Sequence, residues 1–449
     1  MNYLYLFQKI FFSSPGRIII CALAAVTLLG AIALWLPWCH KENLTFINAL
    51  FTATSATCGT GLLVVPLQHF TFTGHCILLF LMQVSALGLV SLTIFLMSLF
   101  FELRLSTRYL MGEMLEIEGW NASHHLLLFI VFLTTVVESL GTWCIFFTVK
   151  DNYSFSKALF YSVFHAVSSF TSTGFTFFDT GDGAMPLNPP LLLITTILAF
   201  MGGLGFIVWQ EVYLYIQSFK EKRHFNWSLH SKVVLSTTLL IIGFASMMFF
   251  YIEYILHNNQ EYSLLATLGN SLFNAITCRS AGLTTFHLPL VHFATLFLIM
   301  IITFIGSSPG STGSGIKTTT FALFLASVRA TVTRRSSVEL KGRTIPHEQI
   351  FKSMAILSVS LSWIALTIFC LLITEQGWRF IDISFEAFSA FCNLGLSTGI
   401  TPYLSTMGKY ILTISMFIGR IGSLTLLLAF RKQKEKKEFH YPEERVILG

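Results

Sequence analysis

Long apolar runs alternate along the chain with shorter, more polar segments. The first run, residues 18–38, contains 21 consecutive uncharged residues. At 1.5 Å per residue, this is enough helix to cross a hydrocarbon core of about 30 Å. Together the runs cover residues 18–38, 74–101, 125–149, 189–217, 233–256, 288–328 (interrupted), 351–373 and 408–430. The pattern predicts an all-α polytopic membrane protein with eight long spans.

Shorter amphipathic segments lie between the two runs of each consecutive pair. They cover residues 44–56, 154–170, 262–277 and 381–391, and their sequences resemble one another. Each is too short to cross a membrane, and each is followed by a polar turn that contains glycine. Because glycine inside a helix costs about 1 kcal/mol relative to alanine, the turns are predicted to end these short helices.

The four turns align in register. They read CGTG, TSTG, RSAG and CNLG, and their last glycines, Gly61, Gly174, Gly282 and Gly395, are 113, 108 and 113 residues apart. A nearly constant period indicates fourfold internal duplication, although a single glycine of this kind would ordinarily be a turn residue. The predicted repeats are residues 1–110, 111–222, 223–335 and 336–430, followed by a tail at 431–449.

A second set of glycines supports this register. Gly88, Gly205, Gly310 and Gly422 follow the turn glycines by 27 to 31 residues. Each alone would be a helix-packing glycine of the small-xxx-small type. Because they recur, they predict a common place on four equivalent long helices.

Composition and charge exclude a soluble protein and predict the topology. The chain is 54% hydrophobic and 11% charged, unlike soluble globular proteins. Of its 28 Lys and Arg residues, 20 lie in the N-terminal segment, the loops between repeats and the tail, whereas five lie on the opposite side. The positive-inside rule then predicts that both termini are cytoplasmic and that the short helices enter from outside. We interpret the first run as a membrane helix and not as a cleaved signal, since no soluble domain follows it.

The polar side chains do not indicate an enzyme, a metal site or nucleic-acid binding. The eight cysteines are scattered and include no CxxC motif, so neither a disulfide framework nor a zinc site is predicted. The histidines considered, His124, His125, His165 and His230, lie near span ends or on short helices. An intramembrane hydrolase or transferase remains the alternative class, but no nucleophile and base occur in register.

The arrangement favours passage of a cation. Non-helical chain at membrane depth must be shielded by protein or line a watery cavity. Four short helices pointing their negative C-terminal ends toward one centre favour a cation there. The turns can then present carbonyl oxygens in place of the ion's water shell, and glycine permits the backbone angles that this requires.

Several motifs together resemble a known family. They are the four turn glycines, GSSPGSTGSGIKTTT (306–320), LSTGITP (396–402), GRIGSLT (419–425) and the ending YPEERVILG (441–449). In combination, and over nearly the whole chain, they resemble the Trk/Ktr/HKT superfamily of potassium transporters, and most of all the membrane subunit of Ktr uptake systems. The resemblance implies four M1–P-loop–M2 repeats around a pseudo-fourfold central pore and potassium uptake across the cytoplasmic (inner) membrane.

The resemblance also implies a selectivity filter that binds K⁺ through backbone carbonyls. Its residues are expected to be Cys58, Gly59, Thr60, Gly61, Thr171, Ser172, Thr173, Gly174, Ser280, Ala281, Gly282, Cys392, Asn393, Leu394 and Gly395. In plant relatives a serine at the first filter glycine accompanies sodium preference, so Gly61 favours potassium. Gly59 and Asn393 depart from the residues usual in the family, and a sodium-permeable transporter of the same fold stays the alternative.

The sixth span is interrupted by a segment rich in glycine and serine. Either it is a loop between two shorter helices, or it is the intramembrane gate that the resemblance implies. The gate residues would be Gly306, Ser307, Ser308, Pro309, Gly310, Ser311, Thr312, Gly313, Ser314, Gly315, Lys317 and Arg420.

The remaining three basic residues, Arg279, Lys317 and Arg420, lie in or near predicted membrane depth, where an arginine at the centre of a helix costs roughly 2.5–3.5 kcal/mol. Arg420 either pairs with a carboxylate among Glu138, Glu211 and Glu253 or faces the gate as an electrostatic barrier to cations. Arg279 is expected to point behind the third turn and brace it, because a guanidinium in the pathway would oppose conduction.

The resemblance further implies a homodimer on a cytosolic ring of nucleotide-binding (RCK-type) regulatory subunits. The basic segments 329–349 and 431–449 are the candidate docking surface, although such runs commonly only hold topology. The chain has no GxGxxG motif of its own, so ATP or ADP is expected only on the partner. K⁺ is the expected transported ion, with Na⁺ as a possible coupling or activating ion.

Overall fold

A computed structural model describes residues 15–86, 120–179, 184–222, 225–256 and 263–422, with Pro442 and Glu444. Its α-helices are α1 (Pro15–Trp35), α2 (Phe46–Cys58), α3 (Phe72–Ala86), α4 (Trp120–Val149), α5 (Phe155–Phe170), α6 (Pro189–Leu204), α7 (Phe206–Lys220), α8 (Leu229–Phe250), α9 (Leu264–Ser280), α10 (Phe293–Phe304), α11 (Thr318–Val332), α12 (His347–Thr374), α13 (Phe380–Cys392) and α14 (Thr406–Ile421). A π-helical turn, Tyr251–Leu256, extends α8. The short 3-10 turns are Pro37–Cys39, Leu67–His69 and Thr401–Tyr403. The strands described are the two-residue pair β1 (Glu339–Leu340) and β2 (Arg343–Thr344).

Each of the eight predicted spans contains at least one of these helices. The spans correspond to α1, α3, α4, α6 with α7, α8, α10 with α11, α12 and α14. Helices α4, α8 and α12 are individually long and apolar enough to cross a membrane. Residues 87–101 of the second predicted span and 423–430 of the eighth lie outside the described residues. The four short segments are α2, α5, α9 and α13, which differ from their predicted bounds by up to three residues.

The second set of glycines marks helix breaks. We expected residues 189–217 to form one continuous span, but Gly205 (φ 97°) separates α6 from α7, which meet at a bend of 98°. Gly310 (φ 66°) lies in the loop between α10 and α11, and Gly422 (φ 87°) follows the end of α14. Left-handed backbone cannot continue a right-handed helix. The expectation that these glycines lie on helices is therefore wrong at these three positions, and Gly88 lies outside the described residues.

The short helices are packed in a closed ring. Each contacts the long helices on either side of it in the chain, and each also contacts a long helix from another part of the chain: α5 contacts α3, α9 contacts α6, α13 contacts α10 and α2 contacts α14. The last contact joins the beginning of the described chain to its end. Each short helix carries at least one fully buried phenylalanine: Phe51 on α2, Phe164 and Phe170 on α5, Phe273 on α9 and Phe385 on α13. The long helices instead expose large apolar side chains such as Leu29, Phe132 and Leu240, as expected for surfaces that face lipid.

Candidate functional site

The C-terminal ends of the short helices are closed by left-handed residues. Gly59 (φ 66°) directly follows α2, and Asn393 (φ 52°) directly follows α13. In the second turn Ser172 (φ 60°) is left-handed, and in the third turn Gly282 (φ 63°) is. Such φ values are favoured by glycine and next by residues such as asparagine. The two departures from the family pattern thus occupy positions where the backbone itself favours Gly or Asn.

The turns begin slightly later than the sequence pattern suggests. Cys58, Ser280 and Cys392, together with Arg279, are still helical, because the left-handed residue comes after them. A backbone bond then closes each helix end: Thr60 N donates to Ser55 O, Thr173 N to Ser168 O, Gly282 N to Thr277 O and Leu394 N to Ser389 O, at 2.8 to 3.2 Å. These bonds satisfy carbonyls that a helix end otherwise leaves unpaired.

Two serines that the sequence analysis missed hold the first and fourth turns. The Gly61 N–H donates to Ser55 Oγ at 3.0 Å, and the Gly395 N–H donates to Ser389 Oγ at 3.1 Å. In each case the serine lies six residues before the glycine. That shared spacing is a signal that the sequence contained. The bonds fix the orientation of the peptide that precedes each glycine.

The four turn glycines meet in closed order. A Cβ atom added to Gly61 would meet the carbonyl oxygen of Thr173, one added to Gly174 that of Ala281, one added to Gly282 that of Leu394, and one added to Gly395 that of Thr60. Each turn therefore lies against the backbone of the next, and the last lies against the first. We call residues 59–61, 172–174, 280–282 and 393–395 the turn ring. No side chain can be accommodated at these four glycines without movement of a neighbouring backbone.

The segment between α10 and α11, residues 305–317, lies against the turn ring and fills the bend between α6 and α7. We call its residues 306–315 the glycine-serine loop. Its Thr312 Oγ1 donates to the carbonyl of Phe170 at 2.9 Å and lies 3.1 Å from Ser172 Oγ in the second turn. The Phe206 N–H at the start of α7 donates to Gly310 O at 2.8 Å. The loop is thus bonded both to the turn ring and to the broken fourth span.

The loop also bonds to the end of α6 and to itself. Its N–H groups at Ser308 and Thr312 donate to the carbonyls of Gly203 and Gly202, both at 3.2 Å. Ser307 N donates to Ser314 O at 3.2 Å. These bonds satisfy backbone groups that would otherwise be bare at membrane depth.

Arg420 bonds to the loop. Its Nη1 donates to Thr312 O at 2.6 Å and to Ser314 Oγ at 3.2 Å, and its Nη2 donates to Ser85 O at 2.5 Å. Of the carboxylates considered as partners, Glu138 accepts from Gln83 and Glu211 accepts from the Ser228 N–H. The structure therefore favours the alternative in which Arg420 faces the loop.

Two further cations, Lys317 and Arg279, also lie close to the glycine-serine loop. Lys317 Nζ donates to Gly313 O at 2.8 Å. Arg279 is 2% exposed, and its Nη2 lies 3.4 Å from Gly203 O at the end of α6. This contact agrees with a bracing position behind the third turn. Within the described part of the chain, the Nε and Nη1 atoms of Arg279 have no hydrogen-bond partner.

On three short helices a polar side chain braces the segment that follows the turn glycine. His165 lies 2.9 Å from Thr176 Oγ1, Asn274 Nδ2 donates to Thr285 Oγ1 at 2.7 Å, and Glu386 accepts from Thr401 Oγ1 at 2.7 Å. This pattern was not predicted from the sequence. It pairs a polar residue eight or nine positions before each of the three glycines with hydroxyl residues after it. In the described ranges no three His, Cys, Asp or Glu side chains are grouped as for a metal ion.

Comparison with known proteins gives a consistent result. The sequence profile of the TrkH family, described as a cation transport protein, matches residues 8–441. Ktr system potassium uptake protein B of Bacillus subtilis is 33% identical, with 97% of each chain covered. Its namesake in Vibrio alginolyticus is 34% identical, with 96% of this chain and 94% of that one covered. The potassium/sodium uptake protein NtpJ of Enterococcus hirae is 31% identical, with 97% of each covered.

A solved structure shares the fold. The crystal structure of the potassium transporter TrkH from Vibrio parahaemolyticus superposes with a TM-score of 0.70 at 17% identity, covering 92% of this chain and 84% of that one. The helices, the family profile and the full-length relatives agree with the fold class and the family resemblance inferred from the sequence. The chain belongs to the TrkH family of cation transport proteins, and it is therefore an all-α membrane transporter and not an enzyme.

Proposed function

We propose that the chain takes up potassium ions through the turn ring, which acts as the selectivity filter. The observation that carries this proposal is the closed order of the four glycines, each against the carbonyl of the next turn. Backbone oxygens from four turns at one place can replace the water around K⁺, and the four helix C-termini favour a cation there. The names of the full-length relatives as potassium uptake proteins support the choice of ion.

The proposed architecture is four repeats around one pore. The repeats are residues 1–110, 111–222, 223–335 and 336–430, with a C-terminal tail at 431–449. The recurring turn glycine and the circular packing of the short helices support this division. The proposed filter comprises the residues predicted from the sequence. Of these, Cys58, Ser280 and Cys392 lie at the C-terminal ends of α2, α9 and α13, which lead into the filter.

The proposed gate is the glycine-serine loop with Lys317 and Arg420. The loop contacts the turn ring through Thr312, and two basic side chains bond to it. Positive charge beside the pathway opposes passage of a cation at low dielectric. Glycine at Gly310 and Gly315, where φ is positive, allows backbone conformations that other residues resist.

On the cytoplasmic side, the proposed partner is a ring of nucleotide-binding regulatory subunits, and the membrane subunit is proposed to be a homodimer. Two relatives are named as proteins of a Ktr system, which supports a subunit that works with others. The docking surface would include the exposed hairpin β1–β2 within segment 329–349. Both termini are proposed to be cytoplasmic, with the protein in the inner (cytoplasmic) membrane.

The proposal is tested by complementing a bacterium that lacks potassium uptake, with and without Gly61→Ser. Because a Cβ at Gly61 meets the Thr173 carbonyl, the variant should lose growth at low potassium or admit sodium. Gly243→Ser is the matched control, since nothing lies within 4 Å of a Cβ added at Gly243 on α8. Growth that is indifferent to Gly61→Ser would contradict the filter assignment.

A sodium-permeable transporter is the second candidate, because one relative is named a potassium/sodium uptake protein. Sodium uptake by the unmodified protein, measured in the same cells, decides between the two. Sodium uptake that equals potassium uptake would favour this alternative.

A further inference from the structure

Asn393 lies where the fourth turn, the first turn, α14 and the glycine-serine loop meet. Its side chain is completely buried, and its backbone is left-handed (φ 52°). Both ends of its amide face complementary partners when Nδ2 points to Thr60 and Oδ1 points to Ser314. A buried amide with all of its groups bonded fixes its surroundings more tightly than an apolar side chain does.

One end of the amide holds the turn ring. Asn393 Nδ2 lies 2.7 Å from Thr60 Oγ1 in the first turn and 3.1 Å from Ala390 O in its own helix. Thr60 also supplies the carbonyl oxygen against which Gly395 packs. The Asn393 side chain therefore positions a residue whose carbonyl belongs to the ring.

The other end of the amide reaches the gate. Asn393 Oδ1 lies 3.1 Å from Ser314 Oγ in the glycine-serine loop and 3.1 Å from the backbone N of Arg420, while Nδ2 lies 3.2 Å from Met416 O. Met416 and Arg420 are one helical turn apart on α14, so Asn393 contacts the backbone turn that carries Arg420.

These contacts form a continuous chain of hydrogen bonds. Arg420 Nη1 donates to Ser314 Oγ at 3.2 Å, Ser314 Oγ donates to Asn393 Oδ1, and Asn393 Nδ2 donates to Thr60 Oγ1. The three bonds link four elements in order: α14, the glycine-serine loop, the fourth turn and the first turn. The chain of hydrogen bonds connects the proposed gate to the proposed filter.

We infer that Asn393 is a positioning residue that couples the glycine-serine loop to the turn ring. While Ser314 occupies Oδ1, the amide is fixed and Thr60 is held in the orientation that sets its carbonyl. When the loop moves, Asn393 loses this partner and the junction of the first and fourth turns relaxes. Ion selectivity is then higher with the loop bonded than with the contact removed. The inference rests on the proposed filter and gate and deepens them.

A glycine substitution isolates the contribution of the Asn393 side chain. Gly59 occupies the corresponding left-handed position after α2 and has no side chain. Asn393→Gly therefore gives the fourth turn the chemistry of the first, and it keeps a backbone conformation that glycine adopts freely. Lys222→Gly is the matched control, because Lys222 is also left-handed (φ 53°) and lies exposed shortly after the end of α7.

The experiment measures Rb⁺ and Na⁺ uptake into liposomes for Asn393→Gly, Ser314→Ala, the double variant and Lys222→Gly. We expect Asn393→Gly to lower the Rb⁺/Na⁺ ratio by about five- to tenfold, which corresponds to the loss of one or two net hydrogen bonds. Ser314→Ala should lower the ratio although Ser314 is outside the ring. The double variant should be no worse than Asn393→Gly, since both act on one chain of bonds. Lys222→Gly should leave the ratio unchanged.

An unchanged ratio in Asn393→Gly, or effects that multiply in the double variant, would overturn the coupling. If Asn393→Gly does not fold, Ser314→Ala decides alone, and an unchanged ratio there overturns the inference. Gly61→Ser in the same assay separates the two proposals. If it changes the ratio while Asn393→Gly does not, the filter stands and the coupling fails. If neither changes the ratio, the proposed filter fails.

Discussion

Arg420 is a half-buried cation whose described side-chain hydrogen bonds all go to uncharged oxygens. Its partners are the carbonyls of Thr312 and Ser85 and the hydroxyl of Ser314. A guanidinium held by neutral dipoles keeps its full charge beside the proposed pathway, whereas an ion pair would cancel it. In the proposed gate the side chain therefore has two effects: its charge opposes the passage of cations, and its hydrogen bonds hold the glycine-serine loop in place.

Replacing Arg420 by Gln should raise the basal flux. The substitution removes the charge, and it weakens hydrogen bonds that a charged donor makes, each worth about 1.5–3 kcal/mol. We therefore expect ⁸⁶Rb⁺ uptake into liposomes without a regulatory partner to rise roughly tenfold or more. Arg343→Gln, in the exposed strand β2, is the control and should leave the flux unchanged. Unchanged or reduced flux in a variant that elutes as well-folded protein would exclude the barrier role.

At the residue scale, the sequence predicted which residues form the candidate site better than it predicted their hydrogen-bond partners. The turn glycines and Arg420 followed from spacing and from the cost of charge in a membrane. The bond between Thr60 and Asn393 joins residues 333 positions apart, and that between Arg420 and Ser85 spans 335. No local pattern encodes such pairs, because closure of the ring brings the two ends of the chain together.

At the scale of helices, glycine has two opposite uses. Gly202 on α6 and Gly419 on α14 allow these helices to lie directly on the carbonyls of Phe170 and Phe391, at the ends of α5 and α13. Gly243 on α8 has open space around it and faces outward. The same residue type is thus required in the first two helices and is only tolerated in the third.

Alanine substitutions at these glycines should change the stability of the protein in opposite directions. Gly202→Ala and Gly419→Ala place a Cβ against backbone, and overpacking of this kind costs about 1–3 kcal/mol. Gly243→Ala should instead stabilise by up to about 1 kcal/mol through helix propensity. Thermal unfolding of the purified protein in detergent measures all three. Equal shifts for the three variants would mean that the close approach of α6 and α14 is not required.

The sequence predicted the helices but did not predict the bend between α6 and α7. Residues 189–217 are apolar nearly throughout, so hydropathy carries no sign of the 98° bend at Gly205. The recurring glycine was the available signal, and it reads equally well as a packing glycine. In contrast, the loop 306–315 was predictable, because its polar residues cannot continue an apolar helix.

At the scale of the molecule, circular packing explains how one chain forms a site that its parts cannot form separately. Each short helix contacts a long helix from another part of the chain, and the contact of α2 with α14 closes the circle. Each turn likewise needs the next one for its carbonyl neighbour. The period in the sequence predicted four equivalent parts, but their circular order could be read only from these contacts.

The orientation of this ring in the membrane can be tested with two exposed positions. Asp151 follows α4 and Lys341 lies in the hairpin between α11 and α12, and both are exposed. The positive-inside rule places Asp151 outside and Lys341, which belongs to a basic loop, in the cytoplasm. A membrane-impermeant maleimide should label Asp151→Cys in intact cells and Lys341→Cys only after permeabilisation, with the unmodified protein measuring background from the native cysteines. The opposite labelling would invert the topology, and the short helices would then enter from the cytoplasm. In that case the basic loops could not meet a cytosolic regulatory partner.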